Sequence, residues 1–83
     1  MYRLELSNIA HKQIESLPHR LAQRINEVIA RLANEPRPAG SKKLMGIEGY
    51  RIRIGDYGIL YTVNDESRLI AVYRVKHRRE AYR

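Results

Sequence analysis

Apolar positions along the chain change period twice. Tyr2, Leu4 and Leu6 alternate with Arg3 and Glu5, the period-2 pattern of a half-buried strand, and Ser7 or Asn8 follows with a side-chain oxygen suited to capping a helix. Ala10, Ile14 and Leu17 then recur at helical spacing, with Ile9 on the flank, until Pro18 interrupts the pattern. A stronger helical stripe follows, with Leu21, Ile25, Val28, Ile29 and Leu32 on one face and Arg20, Arg24, Glu27 and Arg31 on others. The two helices read as a hairpin. The run Glu35-Pro36-Arg37-Pro38-Ala39-Gly40 ends helicity, because residues before proline avoid the helical region and glycine adds backbone freedom.

Beyond this break the pattern alternates. Tyr50, Ile52 and Ile54 point one way, so Arg51 and Arg53 share the other face of the same strand. The Gly55-Asp56 turn leads into a second strand carrying Tyr57, Ile59, Tyr61 and Val63, and Asn64-Asp65-Glu66-Ser67 makes a further polar turn. Leu69 to Val75 form a third strand of strong β propensity, and His77 to Arg83 remain as a charged tail or a single helical turn. The expectation is one α+β domain over residues 1–83 in the order β-α-α-β-β-β. Its helical hairpin packs on one face of a mainly antiparallel sheet and leaves the other face wet.

Composition narrows the function. The chain has no cysteine, so neither a disulfide framework nor a thiolate zinc site can staple it, and apolar burial must hold it together. No run approaches the roughly 20 apolar residues of a membrane span, and the N-terminus lacks the apolar run of a signal peptide, so the expectation is a cytoplasmic protein without a membrane partner. Net charge is +7, and its distribution is uneven: residues 1–36 hold five basic and four acidic side chains, residues 37–83 eleven and five. A cationic second half attracts polyanions and makes their binding salt-dependent, which favours nucleic acid, RNA before DNA.

Each candidate group also has a plainer reading. Arg51 and Arg53 taken alone fit an ordinary solvated strand face. His11 and His19 lack the carboxylate spacing of a metal site, and His77, one histidine among cations, is left out of the catalytic set. Tyr50, Tyr57, Tyr61 and Tyr73 alternate with charged positions as core or boundary residues do.

The segments Lys42-Lys43-Leu44-Met45-Gly46, Tyr50-Arg51-Ile52-Arg53-Ile54-Gly55-Asp56-Tyr57, Ile59-Leu60-Tyr61 and Val75-Lys76-His77-Arg78-Arg79-Glu80-Ala81-Tyr82, in this order, resemble the RelE/ParE toxin superfamily. The likeness covers nearly the whole chain, and the order of the segments is far more specific than any one of them. It implies a helical hairpin on a twisted antiparallel sheet. It also implies the toxin of a type II toxin–antitoxin pair and, in the RelE branch, an endoribonuclease that cuts messenger RNA in the ribosomal A site. No metal or other cofactor is implied. The expected partners are a cognate antitoxin in a hetero-oligomer and messenger RNA on the ribosome, with contacts to ribosomal RNA.

Carried over position by position, the resemblance makes Arg51, Arg53, Arg78 and Tyr82 the catalytic candidates. Lys42, Lys43, Arg74, Lys76 and Arg79 are the accompanying RNA-binding candidates. In this reading Arg53 and Arg78 hold the scissile phosphate, while Tyr82 transfers a proton or stacks on a base. Arginine stays protonated, so Arg51 cannot serve as a base. One position departs from the family pattern: where the family often has an arginine after the Gly-Asp-Tyr turn, this chain has Gly58. Two explanations stay open: a natural member with weak or altered activity, or an inactivating change to glycine at position 58. The alternatives to a ribonuclease are a ParE-like toxin that binds gyrase and a non-catalytic RNA- or antitoxin-binding module.

Overall fold

The computed structural model describes residues 1–80. The elements are β1 (Arg3–Leu6), α1 (Asn8–Glu15), α2 (His19–Leu32), β2 (Ser41–Lys43), β3 (Tyr50–Ile54), β4 (Tyr57–Asn64) and β5 (Leu69–His77). Five strands form one sheet in the order β1-β5-β4-β3-β2, with β1 parallel to β5 and the other neighbours antiparallel. The expected order therefore holds, with one addition. Strand β2, Ser41-Lys42-Lys43, has no apolar alternation by which the sequence could mark it, and it exists because β3 offers an edge to pair with.

Both helices pack on the same sheet face. Ala10 and Ile14 from α1 and Ile25, Ile29 and Leu32 from α2 meet Ile52, Ile54, Ile59, Tyr61, Ile70, Val72 and Val75 in one buried cluster. The stripe read along α2 is thus the buried one, with Leu21 and Val28 partly buried at its margins. Tyr61 is 0% exposed, and its hydroxyl donates to the Pro36 carbonyl at 2.8 Å, so this core tyrosine keeps a partner for its polar end. Burial raises its pKa.

One irregularity in β5 sets the relation between core and surface. Leu60 pairs with Arg74 but Tyr61 pairs with Val72, so Tyr73 is an extra residue in the ladder. Strict alternation from Ile70 and Val72 would send Arg74 and Lys76 into the core. The bulge reverses the phase, so that Val75 is buried and Arg74 and Lys76 are only half-buried on the opposite face.

Ser7 holds this bulge from outside the strand. Its backbone N–H donates to the Val72 carbonyl at 2.9 Å, its hydroxyl donates to the Tyr73 carbonyl at 3.0 Å, and its Oγ accepts from the Ala10 N–H at 3.0 Å as the cap of α1. Strand β1 covers β5 only as far as Val72. Beyond it, side chains complete the edge: Gln13 Oε1 accepts from the Val75 N–H at 2.8 Å and Glu80 Oε1 from the His77 N–H at 3.1 Å. A strand edge satisfied in this way offers less to a foreign strand.

The Pro-rich connection after α2 is fixed at the opposite end of the sheet. Arg37 Nη2 lies 2.9 Å from Asp65 Oδ2, its Nε donates to the Tyr50 hydroxyl at 2.8 Å, and its guanidinium sits 5.2 Å from the centre of the Tyr50 ring. The Tyr2 hydroxyl donates to Asp65 Oδ1 at 2.6 Å, and the Tyr50 ring stacks on Tyr61 at 5.8 Å. Where the chain re-enters β3, Gly49 has φ of 125° and leaves no room for a side chain, since a Cβ there would stand 2.8 Å from the Tyr61 carbonyl oxygen.

The hydrogen bonds from Arg37 and Tyr2 hold Asp65 below its ordinary pKa of 3.8. The bond to Asp65 holds Tyr2 above its ordinary 10.0. A depressed carboxylate contributes stability above its unfolded pKa and loses it as pH falls through the folded one. A raised phenol contributes below its unfolded pKa and loses it as pH rises through the folded one. This corner therefore contributes across the range between the two ordinary values.

Two outcomes are expected. Ser7→Ala, which removes the helix cap and the bond to the bulge carbonyl, lowers unfolding free energy by about 1–2 kcal/mol in urea titration, with the slope unchanged. Asp65→Asn lowers the thermal midpoint at pH 7, and its difference from the parent vanishes as pH falls below the folded pKa of Asp65.

Candidate functional site

The bulge and the strand register assemble the basic residues on the helix-free face. Across β2, β3, β4 and β5 one row reads Lys42, Arg51, Leu60, Arg74. The next row, toward the Gly55-Asp56 turn, reads Arg53, Gly58, Lys76. Side chains paired in register share a face, and adjacent strands lie about 4.8 Å apart, so each row places two basic residues about 10 Å apart across β4. Successive outward positions on one strand are about 7 Å apart. The cations thus flank a central strand whose own outward residues, Leu60 and Gly58, carry no charge. Leu60 is 0% exposed yet stands outside the main core cluster, the only fully buried large side chain of its face among the described residues.

The nine sequence candidates fall into four groups. Lys42, Arg51, Arg53, Arg74 and Lys76 come together on this face. Lys43 does not, because it pairs with Tyr50 and so belongs to the row Leu6, Val72, Tyr61, Tyr50 on the helix side. Arg78 and Arg79 follow the end of β5 in an exposed turn. Tyr82 lies outside the described residues.

Arg78 is placed by the hairpin between β3 and β4. Gly55, with φ of 58°, and Asp56 form a two-residue connection between the paired Ile54 and Tyr57, and glycine at the first central position suits such a turn. The Arg78 N–H donates to the Asp56 carbonyl at 2.6 Å, and Arg78 Nε lies 3.5 Å from Asp56 Oδ1. Asp56 was not among the sequence candidates. The signal for it was an acidic residue at the tip of a hairpin that must end beside the last strand, readable once β4 is known to pair with β5.

His77 belongs to the other face. It pairs with Tyr57, their rings meet edge to face at 5.0 Å, and its Nδ1 accepts from the Arg79 N–H at 3.1 Å. On the helices, His11 Nε2 stands 3.6 Å from Glu15 in an exposed pair one turn apart. Among the described residues no three His, Asp or Glu side chains stand together as a metal site would require, and no helix is long and apolar enough to cross a membrane.

Such a face can hold a polyanion. Guanidinium and ammonium groups on regular strands meet successive phosphates without moving the backbone, and charge neutralisation costs no rearrangement.

Residues 4–82 match the family model described as ParE toxin of type II toxin-antitoxin system, parDE. The chain belongs to this family of toxins. Toxin RelG of Mycobacterium tuberculosis is 29% identical over 84 residues, covering 99% of this chain and 97% of its own length. Among solved structures, the toxin resembles the archaeal RelE-RelB complex from Pyrococcus horikoshii at a TM-score of 0.81 and 30% identity, covering 96% of this chain and 98% of that one. The toxin-antitoxin complex RelBE2 from Mycobacterium tuberculosis matches at a TM-score of 0.81 and 26% identity, covering 92% and 96%. The chain is thus a type II toxin of the RelE/ParE superfamily, with its two helices on one face of a mainly antiparallel sheet as the resemblance implied, and with β1 added in parallel at the edge.

Proposed function

We propose that this toxin is an endoribonuclease that cleaves messenger RNA in the ribosomal A site. The observation that carries the reading is the convergence of Lys42, Arg51, Arg53, Arg74 and Lys76 on the helix-free sheet face, with Arg78 beside its turn end. The reaction is attack by a ribose 2′-oxygen on the adjacent phosphorus. The new O–P bond forms as the bond to the 5′-oxygen breaks; the 2′-hydroxyl loses a proton and the departing 5′-oxygen gains one. No redox change is needed.

Arg51 and Arg53 neutralise the charge that grows on the phosphate, and Arg78 adds a planar fork from the far side of the turn. Arg74 and Lys76, opposite them across β4, hold the flanking backbone, and Lys42 extends the row. Proton transfer belongs to Tyr82 or to groups of the ribosome, since the arginines stay charged. Gly58 leaves the middle of the second row without the cation expected there, which lowers turnover.

The partner that silences the toxin is an antitoxin, a reading supported by the similar structures above, which are the toxin-antitoxin complex RelBE2 and a RelE-RelB complex. An acidic or amphipathic segment complementary to this face would compete with RNA for it and form a toxin–antitoxin hetero-oligomer. Translating ribosomes are the site of action, which makes the toxin cytoplasmic. A second reading, binding of gyrase without ribonuclease chemistry, is favoured by Gly58 and by the ParE description of the family.

Primer extension on messenger RNA in translating ribosomes tests the first reading. Gly58→Arg is expected to increase A-site cuts over the parent, and Arg53→Ala in that background to reduce them about a hundredfold. Absence of cuts from both the parent and Gly58→Arg refutes the ribonuclease and turns the question to gyrase. Binding to a short single-stranded RNA separates the paired lysines: Lys42→Ala is expected to reduce the slope of log affinity against log salt by about 0.7, whereas Lys43→Ala leaves it unchanged.

A further inference from the structure

Arg78 follows the last residue of β5, His77. The short segment after β5 is closed on itself by the Glu80 N–H donating to the His77 carbonyl at 2.8 Å and by the Arg79 N–H donating to His77 Nδ1. Asp56 ties that segment to the neighbouring hairpin twice, through its carbonyl to the Arg78 N–H and through its carboxylate to Arg78 Nε.

We propose that Asp56 is a positioning residue. It engages the Arg78 guanidinium along its Nε edge and aims the terminal amino groups at the scissile phosphate. The proposal rests on the endoribonuclease reading and names how one of its residues is oriented.

Three observations support it. First, Asp56 Oδ1 stands 3.5 Å from Nε, and among the described residues no other carboxylate pairs with this guanidinium, so the paired donors of its outer edge can meet two phosphate oxygens in parallel. Second, the side chains are 64% and 60% exposed, and an ion pair so exposed adds little to folding stability. Third, a carboxylate beside a phosphate site repels the ligand, so Asp56 opposes binding of the polyanion that the rest of the face attracts. Toward Arg78, what such a carboxylate can supply is orientation of the guanidinium. A loosely held arginine still neutralises charge but presents its fork to the reacting phosphate only part of the time.

This separates Asp56 from a merely structural or merely repulsive group. Asp56→Ala, which keeps the backbone carbonyl, is expected to reduce turnover about tenfold in the primer-extension assay while leaving KM for RNA unchanged or lower. Asp56→Asn, which keeps an acceptor oxygen, recovers part of the loss. In an Arg78→Ala background, Asp56→Ala changes turnover no further. Turnover that is unchanged or higher in Asp56→Ala overturns the proposal, as does an equal additional loss in the Arg78→Ala background.

A second measurement does not depend on cleavage. In nitrogen-15 NMR spectra of the full chain, Asp56→Ala is expected to shift the Arg78 Nε–H signal, and inorganic phosphate added to the parent to move the terminal Arg78 amino signals while Nε–H stays in place. An Nε–H signal indifferent to Asp56→Ala overturns the proposal. So does a parent Nε–H signal that phosphate drives to its position in Asp56→Ala, for then the carboxylate competes with phosphate instead of presenting the arginine to it. If neither the parent nor Gly58→Arg cuts RNA, the ribonuclease reading falls and these spectra alone decide whether Asp56 orients Arg78.

Discussion

One extra residue in β5 keeps the core apolar and the outer face cationic. The strand must deliver Ile70, Val72 and Val75 to the helices and Arg74 and Lys76 to the opposite side, which no unbroken alternation allows. Burying either cation without a partner would cost several kcal/mol, whereas a bulge costs one unpaired residue and the local ladder bonds. The Ser7 hydroxyl takes the Tyr73 carbonyl at the bulge, so the irregularity does not leave a bare acceptor. Because the same serine ends β1 and caps α1, the crossing from strand to helix and the phase of β5 are fixed together.

The two ends of the sheet are built for different purposes. At one, Tyr2, Arg37, Tyr50 and Asp65 satisfy each other through hydrogen bonds, an ion pair and ring contacts, and hold the Pro-rich connection against the core tyrosine Tyr61. At the other, like charges converge on the outer face beside the Gly55-Asp56 hairpin. Clustered cations repel one another in the absence of a polyanion, so this face draws on stability supplied by the apolar cluster behind it. Asp56 beside Arg78 is a negative charge placed where the cationic surface meets the end of the last strand.

Regular strands suit such a surface. A guanidinium on a loop must be ordered when the ligand arrives, at an entropic cost; Arg51, Arg53 and Arg74 all stand on strands paired with β4, so their backbones are already ordered. Gly58 then acquires a definite meaning. It occupies the central strand between Arg53 and Lys76 and is itself buried, so this row has no side chain at its middle.

Much of this was legible in the residues themselves. The helical stripe of α2, the Pro18 interruption, the alternation of Tyr50 to Ile54 and the hairpin turns are local patterns, and local sterics and amphipathicity suffice to fix them. They also placed Arg51 and Arg53 on one solvent-facing side, and the order of the basic motifs pointed to the toxin superfamily. Tertiary structure decided what local pattern cannot carry. Strand β2 forms only because β3 presents an edge. Lys42 and Lys43, adjacent and identical in the sequence, are sent to opposite faces by that pairing. Arg74 and Lys76 reach the cationic face through a bulge held by a serine 66 residues away. Asp56 gains its partner only when β4 and β5 bring the hairpin tip to the end of the last strand. The sequence by itself determined which segments are helix or strand and which residues can bear charge, because those follow from neighbours along the chain. Which charges stand together depended on register and on bonds between distant segments, and those exist only once the sheet has closed over its core.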